Sequence, residues 1–455
     1  EGTTSIDFSG NSVETTFSVD LSTMGATFGN TYFVTPEGDD LTGQRGNITL
    51  PFQTITGARD KAVGEISAST VTGTTLVYVF PGDYVGDELQ YDNGNFYFSP
   101  GAKVTSTPRL NIDQTAMFIV GGVPKYISSA YSANTCNVFG SGEFVLSEST
   151  DAIPDWGGQI VFVSSSGSGY FECYKFQVEQ GVGVAVVDYG QATFGGKFLT
   201  VDNGYVATVR DYGDAVFNFN RISTNSGSYT FLIRAGSTPG FYGKCVVNSE
   251  EVFAGGPNPA VGIITLQVGA EVIFNVDKII SESGYAFDTS FSVGGDVTIS
   301  GKLFGVRGVR SQISSGGNFY INADIEATEG GIDMLSSNTD NHTVIYDGNI
   351  NVLSGATDGI DLDGGTLKLH GSLTNKDISG TGTTYNGIDK SGGILEIDSF
   401  SVFTDNESIV GSGNVTINRS LYVDKPINGS IITSGQYIFT GTTNVGDLVI
   451  YNTPT

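Results

Sequence analysis

Between Val272 and Leu421 one short phrase recurs seven times: an apolar-x-apolar triplet, then a small polar residue, then usually a small one. The copies are VIFNV from Val272, VTISG from Val297, FYINA from Phe319, VIYDG from Val344, LKLHG from Leu367, LEIDS from Leu395 and VTINR from Val415, and they begin 20 to 28 residues apart. A repeat of this length built on strands cannot bury its own apolar face, so each unit must be covered by its neighbours in a solenoid. Positions one and three of the phrase fall on one face of a strand and are expected to stack inward. The fourth column reads Asn275, Ser300, Asn322, Asp347, His370, Asp398 and Asn418, residue types that suit a corner and hydrogen-bond there. Small residues follow at Gly301, Ala323, Gly348 and Gly371, and an apolar residue (Leu303, Ile325, Ile350, Leu373 or Leu421) opens the next strand. YIFTG from Tyr437 reads as a weaker eighth copy.

A second column supports the same winding. Gly-Ile-Asp occurs at Gly331, Gly359 and Gly387, 28 residues apart each time, with Ile332, Ile360 and Ile388 expected inward and Asp333, Asp361 and Asp389 stacked outward. The polar stretches Ser336 to His342 and Lys376 to Asn386 are expected to leave the wall as loops.

The chain has 455 residues, 64 of them Gly, with only 15% charged residues, a composition that suits a turn-rich all-β body rather than several separate domains. The formal net charge of −27 argues against nucleic acid and against an anionic membrane surface as partners, because both require a basic footprint. No stretch is long and apolar enough for a spanning helix. Cys136, Cys173 and Cys245 are too few for a disulfide framework and are expected as buried free thiols.

Along the chain the expected organisation is an N-terminal β arm over 1–30, an entry segment with a capping helix over 31–68, the helical wall with loop insertions over 69–430, and a last coil and tail over 431–455. Thr56 to Ile66 is the best helix candidate, and a short helix there would shield the open first coil. TTLVYVFPGDYV from Thr74 and FYFSPGAKV from Phe96 read as first rungs, and QATFGGKFLTVDNG from Gln191 and DAVFNFNRISTNSG from Asp214 as a pair 23 residues apart. Fourteen or fifteen coils are expected.

The segment Tyr32 to Val85, with FVTPEGDD, LPFQTI, ARDKA and VYVFPGDYV, resembles the entry to right-handed, single-stranded parallel β-helix proteins of the pectin-lyase-like superfamily. Its wording GDDLTGQRGNITLPFQTI resembles virion-associated members from tailed bacteriophages. The resemblance implies a spike, fibre or surface decoration located on the virion surface, a homotrimer contacting other virion proteins, and a host surface polysaccharide as ligand. Since the fold carries both enzymes and inert spikes, function must come from a site.

ATDGIDLDGG, from Ala356 to Gly365, is similar to the Asn-Thr-Asp-Gly-x-Asp signature of β-helix polygalacturonases, in which two carboxylates flank the glycosidic oxygen and a water. Asp358 and Asp361 match it. The family's adjacent Asp pair, Gly-His-Gly and Arg-x-Lys are missing, and Gly-Ile-Asp is also the turn of the repeat itself. The alternatives to a virion rod are therefore a depolymerase on the same fold, acting as hydrolase or lyase through those carboxylates, and a bacterial surface adhesin. No cofactor or metal is expected; calcium enters only with the lyase alternative, which needs an acidic cluster beside a basic residue. Lys302, Arg307 and Arg310 form the basic cluster of the repeat, facing a negative ligand or offsetting the acidic wall. Tyr189 and Tyr212 are the tyrosines expected to meet sugar rings, by apolar face and hydroxyl. His370 is expected as a hydrogen-bonding corner residue and His342 in a loop.

Overall fold

The computed structural model describes residues 30–450 apart from 87–93, 106–108, 112–116, 121–135, 141, 148–158, 164–166, 187–188, 203, 210–211, 225–242, 256–260, 263–268, 290–294, 313–315, 336–341, 354–356, 377–384, 426 and 440–448. The expected arm over 1–30 therefore lies outside the described residues save Asn30, as do most of both expected loops and Trp156. Two compact units are present, residues 1–125 with 135–144, and residues 126–134 with 145–455.

In the first unit Thr31–Val34, Thr75–Val79 and Gly94–Phe98 stack as parallel strands, Val34 beside Val79 and Val79 beside Phe98. The helix spans Ile55–Ser67 and buries Ile55, Ala58 and Ala62. Its start is fixed by side chains the sequence places upstream. Thr54 caps it by accepting from the Gly57 amide at 2.8 Å, and Asp40 accepts from the Gln53 and Thr54 amides at 2.8 and 3.0 Å and from the Thr54 hydroxyl at 2.6 Å. The polar GDD loop is thus what holds the helix N-terminus. Beyond Thr105 the pairing turns antiparallel, Ala102–Thr105 with Arg109–Asn111 and Gly94–Phe98 with Met117–Val120.

The second unit is a parallel solenoid; the described residues wind through about 10 turns and contain one short helix. That is fewer coils than fourteen or fifteen. Antiparallel pairs occupy residues that the count assigned to coils, and single strands of 10 to 11 residues such as Glu271–Ser281 and Asp296–Gly305 each run through a corner.

The first and third positions of all seven phrases fall into the register their sequence implies. Val272 lies beside Val297, then Phe319, Val344, Leu367, Leu395 and Val415 in successive coils, and Phe274 heads the parallel row to Ile417. Both rows are buried. Burying apolar side chains at ~25 cal/mol per Å² is the main force holding one coil to the next. Gln191 and Asp214 likewise pair, and Phe171, Phe194 and Phe217 form an inner stack with near-parallel rings 4.9 and 4.6 Å apart.

The corner column holds from Asn275 to His370 and then slips. His370 pairs with Ser399, because Asp398 is extruded as a bulge and meets Arg419 at 3.3 Å. Asn418 falls in the following irregularity, so neither residue belongs to the column. Leu421 consequently continues the row of Gly371 and Phe400, while Val402 and Val423 follow Leu373. Tyr437 pairs with Leu421 and extends the second half of a coil, so YIFTG is not an eighth copy of the first half.

His342 is also placed differently from expectation. It is the first residue of the strand His342–Val352 and is fully buried. Its register partner in the preceding coil is Gly317, whose carbonyl lies 3.1 Å from the ring's Nδ1. Cys173 and Cys245 are buried and in no disulfide, and burial pushes the Cys245 thiol far above its ordinary value; the Cys136 side chain lies outside those described.

Candidate functional site

The Gly-Ile-Asp phrases build a narrow second wall of short strands, Ile332–Met334, Ile360–Leu362 and Ile388–Lys390, preceded by Tyr285–Asp288 and Arg307–Ser311. Phe287, Val309, Ile332, Ile360 and Ile388 stack on its inner side and are buried. Period two then sends the next residue of each strand to the other side. Asp288, Arg310, Asp333, Asp361 and Asp389 are consecutive partners across five coils. The expected acidic ladder therefore exists, with a guanidinium inside it.

At the Arg310 end two guanidiniums offset most of the carboxylate charge. Arg310 pairs with the buried Asp288 and lies over the Tyr285 ring, 4.6 Å from its centre. Arg307 bonds Glu329 at 3.2 Å and donates to the Tyr285 hydroxyl at 2.9 Å, and that hydroxyl donates to Asp333 at 2.6 Å. Burial and the Asp333 carboxylate push the Tyr285 phenol up to about 12. Both arginines are thus committed to carboxylates of the wall.

Toward Asp361 and Asp389 no cation intervenes in the ladder. Burial, followed by the charges of Asp363, Asp333, Asp389 and Asp358, pushes the Asp361 carboxyl up to about 6. Asp389 is raised by burial, then by Asp358 and Asp363. Asp358 sits just before the strand rather than on the ladder. Burial raises its carboxyl, opposed by hydrogen bonds from Asn386, whose amide donates to Oδ1 at 2.8 Å. The two residues of the polygalacturonase-like phrase thus occupy one coil in different roles, Asp361 in the ladder and Asp358 tying down the next coil. Among the described residues no group of three His, Cys, Asp or Glu side chains is arranged to hold a metal ion.

This arrangement makes Asp361→Asn stabilising at pH 7. The folded-state value lies above the unfolded one, so the ionised form is penalised at pH 7 and the penalty disappears as pH falls from about 6 toward 4. Discounted for the solvent that reaches this half-buried group, the gain is about 1 kcal/mol. Thermal unfolding of the variant should show a Tm above the parent's at pH 7, with the difference closing toward pH 4.5; a lower Tm at a constant difference would refute the repulsion.

Tyr189 and Tyr212 lie in the second unit on successive coils, each just ahead of a strand of the pair Gln191–Val201 and Asp214–Thr224. Their rings stack 4.8 Å apart with an 11° interplanar angle. Both backbones are left-handed, φ 63° and 65°, a conformation that costs a non-glycine residue on the order of 1–2 kcal/mol. Tyr189 is 62% exposed against 37% for Tyr212, so the open end of the stack is at Tyr189. His370, as expected, hydrogen-bonds across coils, to Asp347 at 2.7 Å. Sequence reasoning singled out neither Tyr285 nor Asp363, since nothing local marks a tyrosine that a carboxylate two coils away will bind.

The fold defines an all-β parallel solenoid, a parallel β-helix, with an acidic ladder on one wall and a stacked tyrosine pair at its surface. No protein-family model matches the chain, and no curated protein or solved structure matches it either.

Proposed function

We propose that this protein is a β-helical spike, fibre or surface decoration of a tailed-phage virion, of the pectin-lyase-like type, and that it recognises a polysaccharide of the host surface. The observation that carries the recognition part is the tyrosine pair. Two left-handed backbones are held at unfavourable φ, and what they present is a stacked, solvent-facing aromatic edge with phenol hydroxyls, the surface a sugar ring packs against. The virion part rests on the phage-like wording of the entry, and with it come a homotrimer and contacts to other virion proteins. Recognition by an acidic protein suits glycans better than nucleic acid, which would meet a charge of −27.

A second reading, polysaccharide depolymerase, is favoured by one observation: the Asp361 carboxyl, held near 6, can keep a proton for a leaving oxygen close to neutral pH. Asp358 would be its companion carboxylate.

One experiment separates the readings. The full chain is sized by light scattering, then incubated with a panel of bacterial capsular and O-antigen polysaccharides, following both retention and release of reducing ends. Retention without new ends, lost in Tyr189→Ala/Tyr212→Ala, together with a trimeric mass, is the expected result. New ends that vanish in Asp361→Asn would transfer the assignment to the depolymerase, and a monomer that retains no polysaccharide would remove the recognition role.

A further inference from the structure

A second surface feature lies on the same group of coils, at the corner of the strands Asp214–Thr224, Lys244–Ala254 and Glu271–Ser281. In register at that corner stand Phe219, Ser249 and Val276. Phe219 and Val276 are buried, 4% and 5% exposed, but Ser249 is too small to fill the place between them. Its hydroxyl instead turns back on the main chain, donating to the Asn220 and Glu251 carbonyls. The result is a shallow cleft of ≈ 400 Å³ lined by Asn218, Asn220, Asn248, Glu250 and Asp277, with Phe219 at one end. The cleft is wide open to solvent, a groove for a chain to lie along rather than a cavity that encloses a ligand.

The two rims differ. One is an amide ladder in which Asn248 donates to Asn218 at 2.7 Å and Asn275 donates to Asn248 at 3.0 Å. Each amide in such a row spends one donor and one acceptor on its neighbours and keeps others for solvent or ligand. Gly195 is the partner of Asn218 in the preceding coil, so no side chain covers that end of the row. The other rim carries Asn220, which donates to Glu250 at 2.9 Å, and the exposed carboxylate of Asp277. The neighbouring cations are turned elsewhere: Arg221 and Lys278 both pair with Glu251.

We propose that this corner cleft binds a neutral glycan, with successive sugar units running from coil to coil along the amide row. Amides and carboxylates lining a cleft offer donors and acceptors to vicinal hydroxyls, which need both. Coils repeat at roughly 4.8 Å, close to the rise of an extended pyranose chain, so a linear glycan meets an amide at each of three successive coils. Glu250 and Asp277 repel an anionic polymer. A metal ion is a poor alternative, as the described residues contain no suitable group of three ligands. The inference rests on the recognition reading above and adds to it the site and the charge class of the ligand.

The test uses the full chain and two variants. Ser249→Val puts into the notch the residue that the next coil already carries there, so the fold is kept while the floor rises; Asn248→Ala removes the centre of the amide row. Binding of cellohexaose, mannohexaose and chitohexaose, with hexagalacturonate as the anionic probe, is measured by titration calorimetry, with Tm as the fold control. At least one neutral hexamer should bind the parent and hexagalacturonate should not. Both variants should weaken that affinity tenfold or more, Ser249→Val at unchanged Tm. Binding that survives Ser249→Val but is lost in Tyr189→Ala/Tyr212→Ala would overturn the cleft and leave the recognition reading standing. Preference for hexagalacturonate overturns the charge class. If no hexamer binds while polymers are still retained in the polysaccharide panel, the cleft proposal falls alone; if polymers are not retained either, both fall.

Discussion

Gly371→Ala is expected to cost about 2–4 kcal/mol, adding left-handed strain of about 1–2 kcal/mol to overpacking of similar size. Gly371 has φ 113° and sits directly beside Gly348 of the preceding coil. A Cβ placed on it would lie inside the contact distance of the Gly348 carbonyl oxygen, which is fixed in the parallel ladder and cannot withdraw. The control is Ala323→Gly. Ala323 fills the equivalent corner position beside Gly301, without a positive φ, and losing its methyl should cost only about 1 kcal/mol. Urea unfolding of the two variants should therefore separate them by about 2 kcal/mol; equal midpoints would show that corner glycines here are merely small and not conformationally required. Because each coil rests only on its neighbours, the loss should appear first as local opening around 348–371 in hydrogen exchange.

The second large effect is acid loss of stability through His342. Its Nδ1 lies 3.1 Å from the Gly317 carbonyl, which can only accept, so the proton is on Nδ1 and Nε2 accepts from the Ser311 hydroxyl at 2.7 Å. The ring is neutral and fully buried, and burial pushes it down to about 4, against a weaker opposing effect of the Gly317 bond. A folded-state value below the ordinary 6.5 means that the stabilisation is complete above about 6.5 and is lost as pH falls toward 4. The full difference is about 3 kcal/mol. Asp361, Asp389, Asp358 and Asp333, all raised, change stability in the opposite sense over part of this range. The parent's own curve is therefore a sum, and the informative quantity is the difference from His342→Gln. That variant should be less stable than the parent at pH 7.5 and close the gap as pH falls to 4; a gap that stays constant would mean the imidazole is not held neutral.

Most of the winding could be read from residues. Period-two triplets at 20 to 28 residue spacing require cross-coil stacking, and the rows headed by Val272 and Phe274 pair as their alignment implies. The outward row of Asp333, Asp361 and Asp389 was equally legible, because an equal spacing of 28 residues brings like positions together. Tyr189 and Tyr212 were legible as candidate sugar-binding aromatics, though not their contact.

What a repeat pattern cannot carry is a one-residue slip. Asp398 fits the corner column by type, and only pairing reveals that it is pushed out while Ser399 takes its place. Burial of His342 was hidden for a related reason: its neighbours in sequence are polar, whereas its neighbours in space are Gly317 and Ser311, 25 and 31 residues away. The same holds for the corner cleft, made by a serine standing between a phenylalanine and a valine of other coils. The sequence by itself determined the architecture and which face of each strand is buried, since apolar periodicity and strand geometry leave no other way to cover that surface. Tertiary structure alone decided which small corner residues must be glycine, which polar side chains are buried, and how far each carboxyl is raised, because these depend on what the adjacent coil places within a few ångströms.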